Sequence, residues 1–273
     1  MYFDLLQSVS LAGDSAVPND DRAGAATRHA WVIDGATDLG PPGLVGAQGG
    51  AAWLAGVAQA GFTAAADGAV AEIFAQVAGH LLAAWERDRT RAPEGRWELP
   101  LAAALAVRLG DGVVECGWLG DCVGLLRRGE AVVRLGRDDD RAAETARAAA
   151  LAHHGLGDVK RSAPILADLR ASRGRPGMKV LGVLPEWMAQ VDRATIACAP
   201  GDELLLMTDG FAALIDSYSA YDATGLFAAV RAHGLTALAT ELRAIERDDR
   251  ACTRYPRFKT SDDATALWLR IGG

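Results

Sequence analysis

Seven aspartates stand at the edges of apolar runs, where a rigid element could hold a carboxylate in place. The segment "VIDGATDLG" carries the β-branched pair Val32 and Ile33 straight into Asp34 and Gly35, and "LLLMTDG" carries Leu204 to Thr208 into Asp209 and Gly210. An Asp-Gly pair after such a run reads as a sharp turn at the end of a core strand. Asp121 in "WLGDCVGLL" lies inside or at a break in an apolar stretch, and Asp262 and Asp263 immediately precede "ATALWLRI". Asp20 and Asp21 in "PNDDR" lead into the strand that ends at Asp34. An Asp in an apolar run is costly to bury unless its charge is paired, and no Lys or Arg adjoins Asp34, Asp121 or Asp209 in sequence. Divalent cations would supply the missing charge. Oxygen donors without His or Cys suit hard ions such as Mg²⁺ or Mn²⁺, whereas the acids are too scattered for an EF-hand calcium loop. Two such ions sharing a carboxylate can generate a hydroxide near neutral pH and neutralise a transferring phosphoryl group, which is hydrolytic chemistry. Singly, each acid reads as a turn or capping residue; in this order and context, together they read as a site.

The elements that must position these acids can be read from periodicity. Residues 3–11 and 30–33 have strand character, with a polar loop between them. Two helical segments follow, and the second, residues 70–87, places Val70, Ile73, Phe74, Val77, Leu81 and Trp85 on one face. Residues 102–135 change period and are broken by "GDG" at 110–112 and "RRGE" at 127–130, the pattern of an antiparallel meander. Residues 137–200 are less regular, with an Ala-rich helix near 141–153, closed by His153 and His154, and an Arg-containing loop, "LRASRGRPGMK". Strands return at 194–198 and 204–208, helices at 224–233 and 235–247, and a last strand at 264–271. Batches of strands and helices favour an α+β fold with antiparallel sheets. No linker or repeat divides the chain, so one domain is expected over residues 1–273.

Composition narrows the function classes. Of 273 residues, 50% are apolar and 23% charged, which gives ample material for a core. A formal charge of −7, with no dense Lys/Arg stripe, argues against a nucleic-acid surface. The N-terminal residues do not read as a secretory signal, and residues 49–66, mainly Ala and Gly, are too weakly apolar to span a bilayer. Cys116, Cys122, Cys198 and Cys252 form no C-x-x-C pair. A reduced cytoplasmic protein is the simplest expectation.

In chain order, these segments resemble the motifs of the type 2C metal-dependent serine/threonine protein phosphatases, the PPM family. "NDD" at 19–21 is similar to the family's N-E-D, and "VIDGATDLG" to its V-x-D-G segment. "LGDCVGLLRRGE" resembles its G-D-S-R-x-Y-L-x-R-x-G hairpin, "PGDELLLMTDGF" its P-G-D-x-L-L-L-C-S-D-G-L, and "DDATALWLRI" its D-N-A-T segment. The resemblance implies a four-layer α-β-β-α sandwich with the metal centre in a cleft between two antiparallel sheets. It implies two Mn²⁺ or Mg²⁺ ions bridged by Asp34, one also held by the Gly35 carbonyl, with Asp209 and Asp262 completing the second site. Asp20 would act through water, Asp21 would support the site, and Asp121 with Asp209 would hold a third, weaker ion. Turnover would depend above all on Asp34 and Asp209, and the partner would be a protein phosphorylated on serine or threonine.

The departures are specific. Ala16 stands where the family carries a phosphate-binding Arg, leaving Arg22 and Arg28 as the arginines of that loop. Ala36 replaces the His that follows D-G in many members, and Asp263 replaces the usual Asn. Residues 137–200 correspond to the family's variable flap. The other expectation is a non-catalytic protein of the same fold that binds a phosphorylated or signalling partner and uses its metals only for structure.

Overall fold

The computed structural model describes residues 1–137, 141–157 and 161–273. Among these, eleven strands form two antiparallel sheets. The first sheet contains β1 (Tyr2–Leu11), β6 (Val123–Arg128), β7 (Ala131–Gly136), β10 (Glu203–Met207) and β11 (Ala264–Gly272), in the order β1-β11-β10-β6-β7. The second contains β2 (Arg22–Ala25), β3 (His29–Gly35), β4 (Leu101–Leu109), β5 (Val113–Leu119) and β9 (Asp192–Ala197), in that order, with the two-residue β8 (Leu181–Gly182) paired to β4. Helices α1 (Gly50–Ala64) and α2 (Val70–Asp88) cover the second sheet. Helices α6 (Asp209–Asp216) and α7 (Ala223–Asp248) cover the first. The result is a four-layer α-β-β-α sandwich.

Strand alternation builds this layering. In β3, Trp31 and Ile33 join the core beneath α1 and α2, while Ala30 and Val32 join the core between the sheets. In β10, Leu204 and Leu206 face the inter-sheet core, and Leu205 and Met207 face the helices on the other side. A strand with a core on both faces has no polar position to spare, which explains its unbroken apolar run. The stripe anticipated on α2 is buried along its whole length, from Val70 to Trp85. Small residues on α1 let the two helices close: a Cβ at Gly61 would meet Val77 Cα at 3.4 Å.

Three elements differ from the sequence reading. β2 lies inside the segment read as a polar loop, because pairing with β3 at Arg22↔Ile33 makes a strand of residues with little strand propensity of their own. Residues 169–173 of the expected loop are the last turn of α4 (Ala163–Arg173); only Ile165 of this helix is buried, so its apolar face was too narrow to read. α6 begins directly at Asp209, where an Asp-Gly turn alone was anticipated. The two expected helices at 224–233 and 235–247 are present as α7, broken at Gly234, whose φ of 77° is accessible to glycine at little cost. The segment between β7 and β9 also contains α3 (Arg141–Ala150) and α5 (Pro185–Met188), while residues 138–140 and 158–160 lie outside the described residues. No helix among the described residues is long and apolar enough to cross a membrane.

Candidate functional site

The inter-sheet core changes character at one end. The row Ala30, Val32 in β3 continues to Asp34, and the row Leu204, Leu206 in β10 continues to Thr208. In β11, Leu269, Leu267 and Thr265 lead back to Asp263. The same period of two that fills the core with leucines thus delivers polar side chains at its edge. Register fixes the positions: Asp34 pairs with Ala103 and Gly35 with Ala102, while Met207 pairs with Ala266. Asp209 follows Thr208 as the first residue of α6, Asp262 precedes Asp263, and Asp121 occupies the turn between β5 and β6.

Asp34, Gly35, Asp121, Asp209 and Asp262 line one cavity of about 660 Å³. The two acids at 20–21 lie behind it. Asp21 is buried and accepts a hydrogen bond from Thr208 Oγ1 at 2.7 Å; its Oδ1 has no partner among the described residues. Asp20 lies against Gly35, where a Cβ would meet the Asp20 carbonyl at 2.6 Å, so only glycine permits this approach. The two acids at 262–263 divide cleanly. Asp263 accepts the backbone N–H groups of Gly13 at 2.8 Å and Asp20 at 2.6 Å and so ties the 13–20 loop to β11. Asp262 is the one that reaches the cavity.

Electrostatically the acids at the end of the inter-sheet core oppose one another. Burial, then the charges of Asp209 and Asp21, push the Asp34 carboxyl well above the ordinary range, and Asp34 and Asp209 share a hydrogen bond. Asp21 is raised by burial and by Asp263 and Asp262, against the hydrogen bond from Thr208. Asp20 is pushed up to about 7 by burial, Asp263 and Asp38. Like charges gathered in a desolvated space favour protons or metal ions. Even so, no group of three or more His, Cys, Asp or Glu among the described residues is drawn together closely enough to grip an ion.

Several contributors were missed in sequence. The Lys259 ammonium bonds Asp262 Oδ1 and Thr37 Oγ1. Asp38, inside "VIDGATDLG", accepts the N–H groups of Gly50 and Ala51 at 2.7 and 3.2 Å and so places its charge at the start of α1. Arg22 and Arg28 do not face the cavity: Arg22 donates to the carbonyls of Asn19 and Asp21, and Arg28 to that of Leu109. The His153 and His154 rings lie against each other outside it, tilted by 43°.

Gly210 is the tightest point of the frame. A Cβ there would lie 1.9 Å from the Asp263 carbonyl oxygen. Gly210→Ala is expected to force α6 away from β11 at a cost of about 3 kcal/mol, or roughly 6–12 °C in Tm. Thermal denaturation checks this; an unchanged Tm would show that the two segments are not in contact.

The loop bearing Lys259 and Asp262 hangs on Asp249, whose side chain is 6% exposed. It accepts the N–H groups of Thr253, Arg254 and Tyr255 and pairs with Arg257 at 2.6 Å. Burial would raise its carboxyl, but the Arg254 N–H, the Arg257 guanidinium and the other N–H groups outweigh burial and hold it at about 2. A folded-state pKa below the unfolded value of about 3.9 gives stabilisation that is complete above that value and lost as pH falls through about 2. Asp249→Asn is expected to cost about 3 kcal/mol at pH 7. Urea denaturation of both proteins should show that gap at neutral pH and its closure in strong acid; equal stability at pH 7 would refute it.

No protein-family model and no curated protein sequence matches this chain. Solved structures do. The Mycobacterium tuberculosis serine/threonine phosphatase PstP/Ppp superposes with a TM-score of 0.60 over 100% of each chain, at 16% identity. The chain has the PPM phosphatase fold. The catalytic domain of PstP in complex with two manganese ions matches at a TM-score of 0.58 and 16% identity, over 100% of this chain and 99% of that one. The PPM Ser-Thr phosphatase MsPP of Mycobacterium smegmatis matches at 0.52 and 18%, over 98% and 99%. In the PPM phosphatase fold as this chain builds it, the acids lie at one edge of the space between the two sheets.

Proposed function

We propose that this chain is a protein phosphatase that hydrolyses phosphoserine and phosphothreonine esters with the help of Mn²⁺ or Mg²⁺. The observation that carries this reading is the convergence of Asp34, Asp121, Asp209 and Asp262, from four separate segments, on one cavity. The donors are all oxygens, their charges oppose one another, and Asp21 keeps an unpartnered buried oxygen, a set that suits hard divalent ions. Asp34, the Gly35 carbonyl, Asp209 and Asp262 would hold two such ions, the Gly35 carbonyl contributing to one of them. Asp121 with Asp209 would hold a third. The two manganese ions of PstP support this assignment by likeness of fold. When bound, such ions acidify water and neutralise charge on a phosphoryl group.

The chain's own residues do the rest. Thr208 fixes Asp21, Asp263 fixes the backbone of Asp20, and Gly35 lets that backbone approach. No histidine lines the cavity among the described residues, so solvent protonates the leaving alkoxide. The four cysteines are buried, unpaired thiols, which fits a cytoplasmic setting.

The second reading is a non-catalytic protein of this fold that binds a phosphorylated partner. Lys259 favours it, because its ammonium already neutralises Asp262. Incubation with p-nitrophenyl phosphate in Mn²⁺ and in EDTA separates the two: the phosphatase releases nitrophenol only with the metal, and the binder releases none in either.

A further inference from the structure

The cavity has a second, cationic wall. Arg161 stands just before α4 and Arg173 is its last residue, and both line the same space as Asp34 and Asp209. Helix α4 is fastened over the turn that follows Asp34: Arg170 donates to the Leu39 carbonyl at 2.7 Å, and its guanidinium stacks on Trp97 at 3.9 Å. Arg173 donates one Nη1 bond to the Thr37 carbonyl at 2.8 Å. Among the described residues, neither Arg161 nor Arg173 is in an ion pair, although other arginines of this segment are, as Arg147 is with Asp168. Both lose solvation in this position. The Arg173 guanidinium is held down at about 10 by burial, eased by Asp38 and reinforced by Arg161, and Arg161 is lowered by burial against the pull of Asp262.

Two guanidiniums that repel each other across desolvated space, with most of their donors unspent, make a poor structural device. Asp38 and Asp262 act on them without closing an ion pair among the described residues, whereas an anion with several oxygens would pair with both at once. Among the described residues, the acids whose charges act on these arginines are already bonded, Asp38 to the Gly50 and Ala51 N–H groups and Asp262 to Lys259. The planar fork of Arg matches a tetrahedral dianion better than Lys does.

We infer that Arg161 and Arg173 form an anion subsite that takes the phosphate oxygens of a phosphomonoester opposite Asp34 and Asp209. The subsite deepens the phosphatase reading and rests on it for its substrate, but not for its ability to bind phosphate. It also places recognition on the 137–200 segment, outside the loop of Ala16, Arg22 and Arg28. The bonds it makes exist in both ground and transition states, so their loss raises KM more than it lowers kcat.

The test is calorimetric titration of inorganic phosphate into the full chain in Mg²⁺, for the wild type, Arg161→Ala, Arg173→Ala and Arg173→Lys. A separate Mg²⁺ titration without phosphate and a melting curve accompany each protein. Each alanine variant is expected to bind phosphate about ten-fold more weakly or worse, with Mg²⁺ affinity and Tm retained, and Arg173→Lys should recover part of the loss. Arg161 makes no hydrogen bond or ion pair among the described residues, so its variant reports even if Arg173→Ala does not fold. Phosphate affinity within two-fold of wild type in Arg161→Ala and Arg173→Lys, or no phosphate binding by the wild type, overturns the subsite. Phosphate binding that depends on both arginines, in a protein that releases no nitrophenol, upholds the subsite and removes the phosphatase reading. Metal-dependent hydrolysis with unchanged phosphate affinity does the reverse.

Discussion

Asp34→Asn should abolish turnover while leaving the fold intact. Burial and the charges of Asp209, Asp21 and Asp262 all act on Asp34. Asparagine keeps the shape and one oxygen but removes the charge that would bridge two ions. Loss of a preorganised charge at a reacting phosphoryl group costs roughly a thousand-fold or more in kcat. The structural consequence has the opposite sign. Removing one of several mutually repelling carboxylates relieves the metal-free protein, so its Tm should hold or rise. Asp209→Asn should behave in the same way, since Asp209 shares a hydrogen bond with Asp34 and raises it. Kinetics on a phosphothreonine peptide, with circular dichroism on the same samples, checks both halves. A variant that keeps a tenth of wild-type turnover would show that the carboxylate is not a ligand.

Metal addition should raise thermal stability in wild type and not in Asp34→Asn. The acids at 20, 21 and 34 all sit above their ordinary range because burial and neighbouring acids disfavour their charged forms. Such a cluster weakens the metal-free fold, and an ion that binds only the folded chain stabilises it by mass action. At a hundred times its Kd the gain is about 2.7 kcal/mol, which for a chain of this size is roughly 5–11 °C. EDTA should return the melting point to its starting value. Lys259 sets a limit on the effect, since its contact with Asp262 has to be displaced or shared. A melting point indifferent to Mn²⁺ would show that these acids do not hold the ion.

What could be read from the sequence was local. Asp34 and Asp209 stand out because strand alternation and an Asp-Gly turn are contained within a few residues, and the α2 stripe is legible for the same reason. The choice between Asp262 and Asp263 was not legible, because it depends on which carboxylate meets the N–H groups of Gly13 and Asp20 across the sheet. Lys259 finds Thr37 from 222 positions away, and Thr208 finds Asp21 from 187. Helix α4 escaped notice because its role is to carry arginines rather than to bury a face. In the sequence Arg173 is one arginine of the loop-like "LRASRGRPGMK" and Arg161 carries no signal, and only the fold sets both beside the acids.

In the reaction we propose, solvent water attacks the phosphorus of a phosphorylated side chain in this cavity. Single-turnover hydrolysis of a phosphothreonine peptide in ¹⁸O-labelled water with Mn²⁺, followed by mass spectrometry of the phosphate and of the intact chain, tests it directly. One labelled oxygen in the released phosphate, with no phosphate left on the protein and no release in EDTA, is the expected result. Unlabelled phosphate in that single turnover, a phosphorylated chain, or no release with Mn²⁺ present would contradict it.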